Sequence, residues 1–237
     1  MTVRASAIGR AREALQRPLL LAHRGLHDNL TQENSLAALA AGAAQRDGVE
    51  LDVRFSADGE AVIVHDETLD RLFGVARRVG DLSLSELVAI GVPRLREALT
   101  VMPADTLIDL ELKELPTDAL FAALSAVRGS EATGVVLSSF EPEVLGAIRD
   151  RAPNWPVWLN AESEAEADQA VGIGCIGVSV ALDLLDDASI ARWRRAGLEV
   201  AAWTVRDSQG AAWARDLRLT ALCVEGEGIT AARAAAR

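Results

Sequence analysis

The chain has 237 residues, of which 50% are hydrophobic and 25% are charged, so it is long enough to bury a substantial core in one barrel or two small domains. Its formal net charge of −11 argues against nucleic acid or an anionic membrane surface as the main partner, because both repel an acidic protein. An anionic ligand must therefore meet positive charge that is local to its site.

The N-terminal segment and the cysteines predict a cytoplasmic location. Residues 1–17 scatter arginines among alanines and leucines without the continuous apolar core of an export signal, and no other run is long enough to cross a membrane. We expect residues 1–17 to form a helix that covers one end of the domain, and we expect no integral membrane segment. Cys175 and Cys223 lie inside apolar runs, which indicates small core residues in a reducing compartment.

Eight short apolar segments alternate with segments of helical spacing along the chain. The strand-like segments are 19–22, 49–53, 107–112, 135–138, 157–159, 175–180, 200–205 and 221–224. The helical segments are 33–44, 84–90, 93–99, 117–127, 142–149, 161–170, 188–196 and 208–215. This alternation predicts an α/β fold, a (β/α)₈ TIM barrel that spans residues 1–237 as a single domain. An open doubly wound sheet is the alternative, but no Gly-x-Gly-x-x-Gly follows the first strand.

The second strand leads into Asp58-Gly59, a two-residue hairpin signal, because both central positions of a type I′ turn need positive φ. This predicts a β-hairpin extension after strand 2, with residues 61–64 as its second arm. Placing the turn at these two residues pairs Asp52 with His65. A slip of one residue would move His65 away from that partner.

Carboxylates alternate along the second and third strands. Glu50 and Asp52 lie two residues apart, so they face the same way, and in a barrel that face is the interior, where an unpaired carboxylate pair is costly. Asp109, Glu111 and Lys113 repeat this spacing on the third strand. Three carboxylates and a lysine suit a hard divalent cation together with an anion that bridges to it.

All three histidines fall in the first two βα units. His23 and Arg24 follow the first strand directly, at the end of a barrel that carries the chemistry of such enzymes. With His65 at the end of the hairpin arm, two imidazoles flank the acidic residues, which indicates a general acid and base. His27 lies within a polar loop and is interpreted as a loop residue.

Several motifs occur in one order between residues 19 and 205, namely His23-Arg24-Gly25, Glu33-Asn34-Ser35, Glu50-Leu51-Asp52-Val53, Asp58-Gly59, Val62-Ile63-Val64-His65-Asp66, Leu69-Asp70-Arg71, Glu111-Leu112-Lys113, Ser138-Ser139-Phe140-Glu141-Pro142 and Ala202-Trp203-Thr204-Val205. In this order they resemble the glycerophosphodiester phosphodiesterase family. The combination of His-Arg-Gly, Glu-x-Asp and His-Asp is specific, although each motif alone is weak. The chain departs from the family's pattern at Gln32, where proline is common, and at residues 224–227, where Thr-Asp-x-Pro is usual.

The resemblance implies a barrel enzyme that hydrolyses a small-molecule phosphodiester to glycerol 3-phosphate and an alcohol. It implies a divalent cation, Ca²⁺ or Mg²⁺, on Glu50, Asp52 and Glu111, and His23 with His65 as the catalytic acid and base. It also suggests Arg24 and Lys113 as phosphate contacts, with Trp203 and Phe140 as walls for the glycerol or the alcohol. For both aromatic residues, buried packing is the alternative interpretation.

Three other functions stay open at this point. A phosphodiester lyase of the sphingomyelinase D type, or a lysophospholipase D that forms a cyclic phosphate, would use the same residues. A non-catalytic phosphate-binding barrel would be expected to lack a histidine or glutamate of the core set, and none is missing here. A glycosidase barrel also uses paired carboxylates, but needs neither the two histidines nor a metal.

Overall fold

The computed structural model describes residues 5–215 and 217–235. The strands are β1 (Leu19–Ala22), β2 (Gly48–Phe55), β3 (Ala61–Ile63), β4 (Thr68–Leu69), β5 (Val75–Arg78), β6 (Leu107–Leu112), β7 (Val135–Ser139), β8 (Val157–Ala161), β9 (Gly177–Ala181), β10 (Glu199–Val205) and β11 (Ala221–Val224). The α-helices are α1 (Ala7–Leu15), α2 (Leu36–Gln45), α3 (Asp70–Phe73), α4 (Leu84–Ile90), α5 (Leu95–Val101), α6 (Asp118–Arg128), α7 (Pro142–Arg151), α8 (Glu164–Ala167), α9 (Ala170–Ile173), α10 (Asp187–Arg195), α11 (Ser208–Arg215) and α12 (Glu227–Ala235). Short 3₁₀ turns cover Val79–Asp81 and Leu182–Leu184.

Eight parallel strands close into a barrel in the order β1, β2, β6, β7, β8, β9, β10 and β11, and β11 pairs back to β1. The predicted (β/α)₈ barrel is confirmed. The predicted helix over 161–170 is wrong, because β8 runs to Ala161 and two short helices follow it. The first of them begins after Ser163, whose hydroxyl accepts a hydrogen bond from the Glu166 N–H, while the Glu166 side chain accepts from the Ser163 backbone in return.

Alternation along each strand separates two cores. Leu20 and Ala22 of β1 belong to the core between the strands and the helices, whereas Leu19 and Leu21 belong to a cluster inside the barrel. Inside the barrel, Trp158 is fully buried and fills much of the space. This apolar packing lies towards the N-terminal ends of the strands, and the carboxylates of β2 and β6 lie towards the other end.

Helix α1 packs on the N-terminal end of the barrel. Ile8 of α1 is fully buried in the interior cluster, a burial that contributes about 1.5–3 kcal/mol. The backbone N–H and the hydroxyl of Ser6 donate to the carboxylate of Glu199 at the start of β10, at 2.8 and 2.7 Å. The indole of Trp158 donates to the same carboxylate at 3.0 Å. Residues 1–4 of the predicted covering segment lie outside the described residues.

The hairpin after β2 is present, but its predicted register is wrong. The structure pairs Phe55 with Ala61 and continues in antiparallel register from there, so Asp52 is not paired with His65. The two registers differ by one residue, which reverses the face of every side chain on a regular strand. His65 still lines the cavity at the mouth of the barrel, because β3 ends at Ile63 and the chain leaves the strand and bends from His65 onwards.

The turn itself explains the shift in register. Gly59 has φ of 79°, whereas Asp58 is not among the residues with positive φ, so the two-residue type I′ turn does not form. Instead the Gly59 N–H donates to the Ser56 carbonyl at 2.9 Å and the Ser56 N–H donates to the Glu60 carbonyl at 3.0 Å. These bonds define a three-residue loop. The Ser56 hydroxyl supports it by accepting from the Glu60 N–H at 2.9 Å.

Residues 64–92 form a small satellite around the hairpin, whereas α5, which follows them, packs in the core between the strands and the helices. Strands β4 and β5, which the sequence did not predict, pair antiparallel on either side of α3. A separate buried cluster that includes Val62, Leu69 and Leu87 holds this satellite together. Over the part of the chain that the structure describes, no helix combines the length and the apolar character needed to cross a membrane.

Candidate active site

The register of two neighbouring parallel strands gathers the carboxylates. Glu50 on β2 lies opposite Asp109 on β6, and Asp52 lies opposite Glu111. All four point into the barrel and are at most 9% exposed. Because β2 and β6 are parallel, the two members of each pair lie at the same height in the barrel. The Asp52–Glu111 pair lies above the Glu50–Asp109 pair, closer to the carboxyl ends of the strands.

Glu50, Asp52 and Glu111 form a carboxylate trio whose ligand atoms all lie within 4.8 Å of one another. Two cations border it. The Lys113 ammonium lies 2.8 Å from Asp52 Oδ1 and also contacts Glu111, and Arg24 Nε lies 3.3 Å from Asp52 Oδ2. The backbone N–H of Arg24 donates to Glu50 Oε2 at 2.9 Å.

These contacts divide the trio electrostatically. Burial raises the pKa of Glu50 well above its usual value, and the neighbouring charges of Asp52 and Glu111 raise it further. Burial also raises the pKa of Glu111, against the opposing effect of Lys113. For Asp52, burial is outweighed by Lys113 and then Arg24, so its pKa is held below its usual range. The protein's own cations thus compensate one carboxylate of the three.

The trio fits a divalent cation. Glu50 Oε1 is buried and has no hydrogen-bond partner among the described residues, an arrangement that costs free energy unless a ligand satisfies the oxygen. Three carboxylates from two rigid strands are an all-oxygen donor set, which suits hard ions such as Ca²⁺ and Mg²⁺.

His23 is held by a carboxylate from the neighbouring strand. Because Ala22 pairs with Val224, the next residues, His23 and Glu225, emerge side by side. His23 Nδ1 lies 2.7 Å from Glu225 Oε2, and this hydrogen bond lowers the pKa of Glu225 to about 2. His23 Nε2 is left facing the trio, 3.9 Å from Glu50 Oε2.

His65 has a similar carboxylate partner. Its Nδ1 lies 2.8 Å from Asp66 Oδ1, and Asp66 is held in turn by Arg71, whose Nε lies 2.5 Å from Oδ2. Arg71 also binds Glu33 at 2.7 Å, and Glu33 contacts Arg24 at 2.8 Å. Burial lowers the pKa of His65, which favours the neutral imidazole.

A cavity of about 220 Å³ at the carboxyl ends of the strands joins these groups. Eight of the nine predicted site residues line it, and Asp52 lies beneath, 1% exposed: the lining set is His23, Arg24, Glu50, His65, Glu111, Lys113, Phe140 and Trp203. The rings of Phe140 and Trp203 meet edge to face at 5.6 Å, and the Trp203 indole donates to the Ser179 carbonyl at 3.1 Å. Both rings are partly exposed and line the cavity, so together they form one of its walls.

Sequence reasoning missed several polar residues of the site, among them Asn34, Asn160 and Glu225. Asn34 is buried with φ of 57°, and its amide donates to Asp52 Oδ2 at 2.8 Å. Asn160 contributes a buried oxygen without a hydrogen-bond partner, and Glu225 holds His23. The position of Glu225 was accessible from sequence, since it follows its strand as directly as His23 follows β1. Asn160 carried no such signal.

Comparison with known proteins agrees with this geometry. The model of the Glycerophosphoryl diester phosphodiesterase family matches residues 23–226, from the first proposed catalytic histidine to the residue after Glu225. The chain belongs to this family. The family's named members are phosphoric diester hydrolases, and the match begins and ends on the two adjacent strands that carry His23 and Glu225.

Individual members of the glycerophosphodiester phosphodiesterase family show how far the similarity extends. A glycerophosphodiester phosphodiesterase of Caldanaerobacter subterraneus is 29% identical over 161 residues, which are 60% of this chain and 65% of that protein, so less than two thirds of its length is matched. The structure of an Agrobacterium tumefaciens glycerophosphodiester phosphodiesterase has 26% identity and a TM-score of 0.74, covering 91% of this chain and 98% of that one. An Oleispira antarctica phosphodiesterase, solved with its product sn-glycerol-3-phosphate, shares the fold with a TM-score of 0.80 at 24% identity, covering 92% and 97%.

Proposed function

We propose that this protein hydrolyses glycerophosphodiesters to glycerol 3-phosphate and an alcohol, with a divalent cation on Glu50, Asp52 and Glu111 and with His23 and His65 as the proton-transfer pair. One observation carries the proposal: the carboxylate trio lies in a cavity between two imidazoles, each of which is held through Nδ1 by its own carboxylate. Such a carboxylate fixes the tautomer and orientation of a histidine and leaves Nε2 for proton transfer.

Charge balance supports both the cation and the substrate. The three ionised carboxylates together with the single negative charge of a phosphodiester exceed the charges of Arg24 and Lys113 by two. A divalent cation held by Glu50, Asp52 and Glu111 would balance that excess and would supply Lewis-acid catalysis. Arg24 and Lys113 border the cavity and are mostly buried, so they are placed to hold the phosphate oxygens and the charge that develops on them.

The environments of the two histidines favour different roles. Burial lowers the pKa of His65 and so favours the neutral imidazole that a proton acceptor requires, and we assign His65 the task of deprotonating the nucleophile. Glu225 holds His23 through Nδ1 at 2.7 Å and leaves Nε2 facing the trio, so His23 is assigned to protonate the leaving alkoxide.

The aromatic wall marks the side for the alcohol or the glycerol. Phe140 directly follows β7 and Trp203 lies on β10, so both rings enter the cavity from strands other than β2 and β6, which carry the trio. A larger cavity of about 590 Å³ shares Trp203, Thr204 and Arg206 with the first. We propose that the leaving alcohol extends past Trp203 into this second space.

Phosphorus NMR of early time points tests the reaction directly. With glycerophosphocholine and Mg²⁺ or Ca²⁺, the proposal predicts conversion of the diester signal to that of glycerol 3-phosphate. A cyclic phosphate that appears first would show that the glycerol 2-hydroxyl is the nucleophile, whereas ¹⁸O from solvent entering in a single step would identify water. A cyclic phosphate that accumulates as the final product would contradict hydrolysis and indicate the lyase.

A further inference from the structure

A second group of metal-ligating side chains lies beside the carboxylate trio and shares His23 and its carboxylate partner Glu225 with the proposed catalytic machinery. His23, His27 and Glu225 each offer one donor atom, and these atoms lie within 4.8 Å of one another. The fold explains how they meet. Pairing of β1 with β11 sets His23 beside Glu225, and the loop after β1 turns at Gly25 and is tied back by the Leu26 N–H, which donates to Ala38 O at 2.8 Å.

His27 supplies an independent sign that this group has a ligand. Its Nε2 is buried and has no hydrogen-bond partner among the described residues, although the loop around it is polar. Buried polar atoms are almost always satisfied, and an unsatisfied one points to a bound water or ion. His27 belongs to the same group of three, so an ion held there through Nε2 would satisfy this atom.

The donor chemistry differs from that of the carboxylate trio. Two imidazoles and one carboxylate form a borderline-soft set that is typical of Zn²⁺, whereas three carboxylates suit Mg²⁺ and Ca²⁺. Arg206 also lies near Glu225, with its Nη2 3.6 Å from Oε2. Its side chain is 61% exposed, so it can move into solvent when an ion binds to Glu225. The two sites are therefore expected to select different ions.

We propose that His23, His27 and Glu225 bind a transition-metal cation of the Zn²⁺ type and that this ion inhibits the enzyme. An ion on either ring nitrogen of His23 prevents the imidazole from holding a proton on both nitrogens, and an ion on Nδ1 also replaces its present hydrogen bond to Glu225. The inhibitory consequence rests on the proposed function of His23, whereas ion binding does not.

Calorimetric titration with ZnCl₂, with Mg²⁺ in large excess to occupy the carboxylate trio, tests the site without reference to activity. The wild type and Glu50→Gln are expected to bind one Zn²⁺ tightly, and His27→Gln is expected to weaken that binding at least about tenfold, since even supporting residues of metal sites contribute that much. Asp28→Asn, on the exposed neighbour of His27, is the matched control and should bind as the wild type does. Equal Zn²⁺ affinity in the wild type and His27→Gln would overturn the proposal.

Turnover of glycerophosphocholine under the same conditions tests the inhibition. His27→Gln should turn over normally without Zn²⁺, and its half-inhibitory Zn²⁺ concentration should rise at least about tenfold, in step with the lost affinity. Inhibition of both proteins at the same concentration would show that Zn²⁺ acts elsewhere. If no substrate is turned over even in Mg²⁺, the proposed function fails, while the calorimetric result still decides whether the ion binds.

Discussion

Glu50 and Asp52 lie two residues apart on one strand, yet their surroundings shift their pKa values in opposite directions. Asp52 forms ion pairs with Lys113 and Arg24 and accepts a hydrogen bond from the Asn34 amide. Glu50 accepts one backbone hydrogen bond, and its other oxygen is buried without a hydrogen-bond partner among the described residues. Burial therefore dominates at Glu50 and raises its pKa, and the cations dominate at Asp52. Of these two carboxylates, Glu50 is therefore the one whose negative charge a bound cation would stabilise more.

Glu50→Gln tests this difference. The substitution keeps the shape but removes the charge, so we expect Mg²⁺ and Ca²⁺ affinity and kcat/KM to fall at least about 100-fold, a lower bound set by the effect of supporting residues in metal sites. Without metal the variant should be more stable than the wild type, because folding no longer requires the carboxyl group either to be buried with its charge or to take up a proton. Calorimetric metal titration and urea unfolding measure the two effects. Glu60→Gln, at an exposed position of the hairpin, is the control, and wild-type metal affinity in Glu50→Gln would contradict the assignment.

Alanine in place of His23 or His65 should separate catalysis from metal binding. We expect kcat to fall about 10²–10⁴-fold in each variant, the range for loss of a general acid or base, with metal affinity nearly unchanged. Steady-state kinetics and metal titration on the same preparations check this. His27→Gln serves as the histidine control, and near-normal turnover in either alanine variant would end the acid and base assignment.

The Asp66 contact predicts a pH-dependent contribution to stability. Hydrogen bonds from Arg71, and then His65, lower the pKa of Asp66 from 3.8 to about 2. A carboxyl group whose pKa is lower in the folded state stabilises that state above its unfolded pKa, and the effect disappears as the pH falls through the folded value. The difference in unfolding free energy between the wild type and Asp66→Asn should thus be full at neutral pH and vanish towards about pH 2.

Urea unfolding at a series of pH values measures this difference. Asp105→Asn, at an exposed position outside the network, should show no comparable trend. A wild-type advantage over Asp66→Asn that stays constant across the acid range would mean that the Arg71 contact does not form in solution.

Among the elements, the buried barrel strands could be predicted, whereas the very short, exposed or turn-dependent strands could not. All eight barrel strands follow from apolar runs between helical segments, because burial on both sides leaves a continuous hydrophobic pattern. Strand β4 has two residues and β5 is mostly exposed, so neither leaves a pattern. Asp58-Gly59 is compatible with both a two-residue and a three-residue loop, and the Ser56 hydroxyl, which favours the longer loop, gives no periodic signal.

Two turn glycines allow a matched test of what holds the β1 loop against α2. Gly25 and Gly59 both have φ of 79°, but a Cβ at Gly25 would lie 2.5 Å from the Ala38 backbone, whereas at Gly59 the nearest atom is 3.8 Å away. Gly59→Ala should cost about 1–2 kcal/mol from backbone strain alone. Gly25→Ala should cost clearly more and lower kcat, because the loop that carries His23 and Arg24 must move. Equal unfolding free energies for the two variants would refute this packing.

Closure of the barrel limits what the sequence can reveal about the site. Glu50, Asp52 and Glu111 come from strands that are neighbours both in the barrel and among its strands along the chain, so their meeting could be predicted from spacing. Glu225 joins His23 only because the last strand pairs with the first, and Asn160 reaches the cavity from the fifth barrel strand. Phe140 and Trp203 were predicted as cavity walls only from the resemblance to the family, because no local sequence pattern assigns them to the site.

The most direct measurement of the whole account is release of glycerol 3-phosphate from glycerophosphocholine, glycerophosphoethanolamine and glycerophosphoinositol, and of lysophosphatidate from lysophospholipids, each with and without a chelator. We predict release from at least one glycerophosphodiester with Mg²⁺ or Ca²⁺, loss of release after chelation and recovery when the ion is restored. Release that continues unchanged in the chelator, or no release from any of these substrates with metal present, would contradict a metal-dependent phosphodiesterase built on Glu50, Asp52 and Glu111.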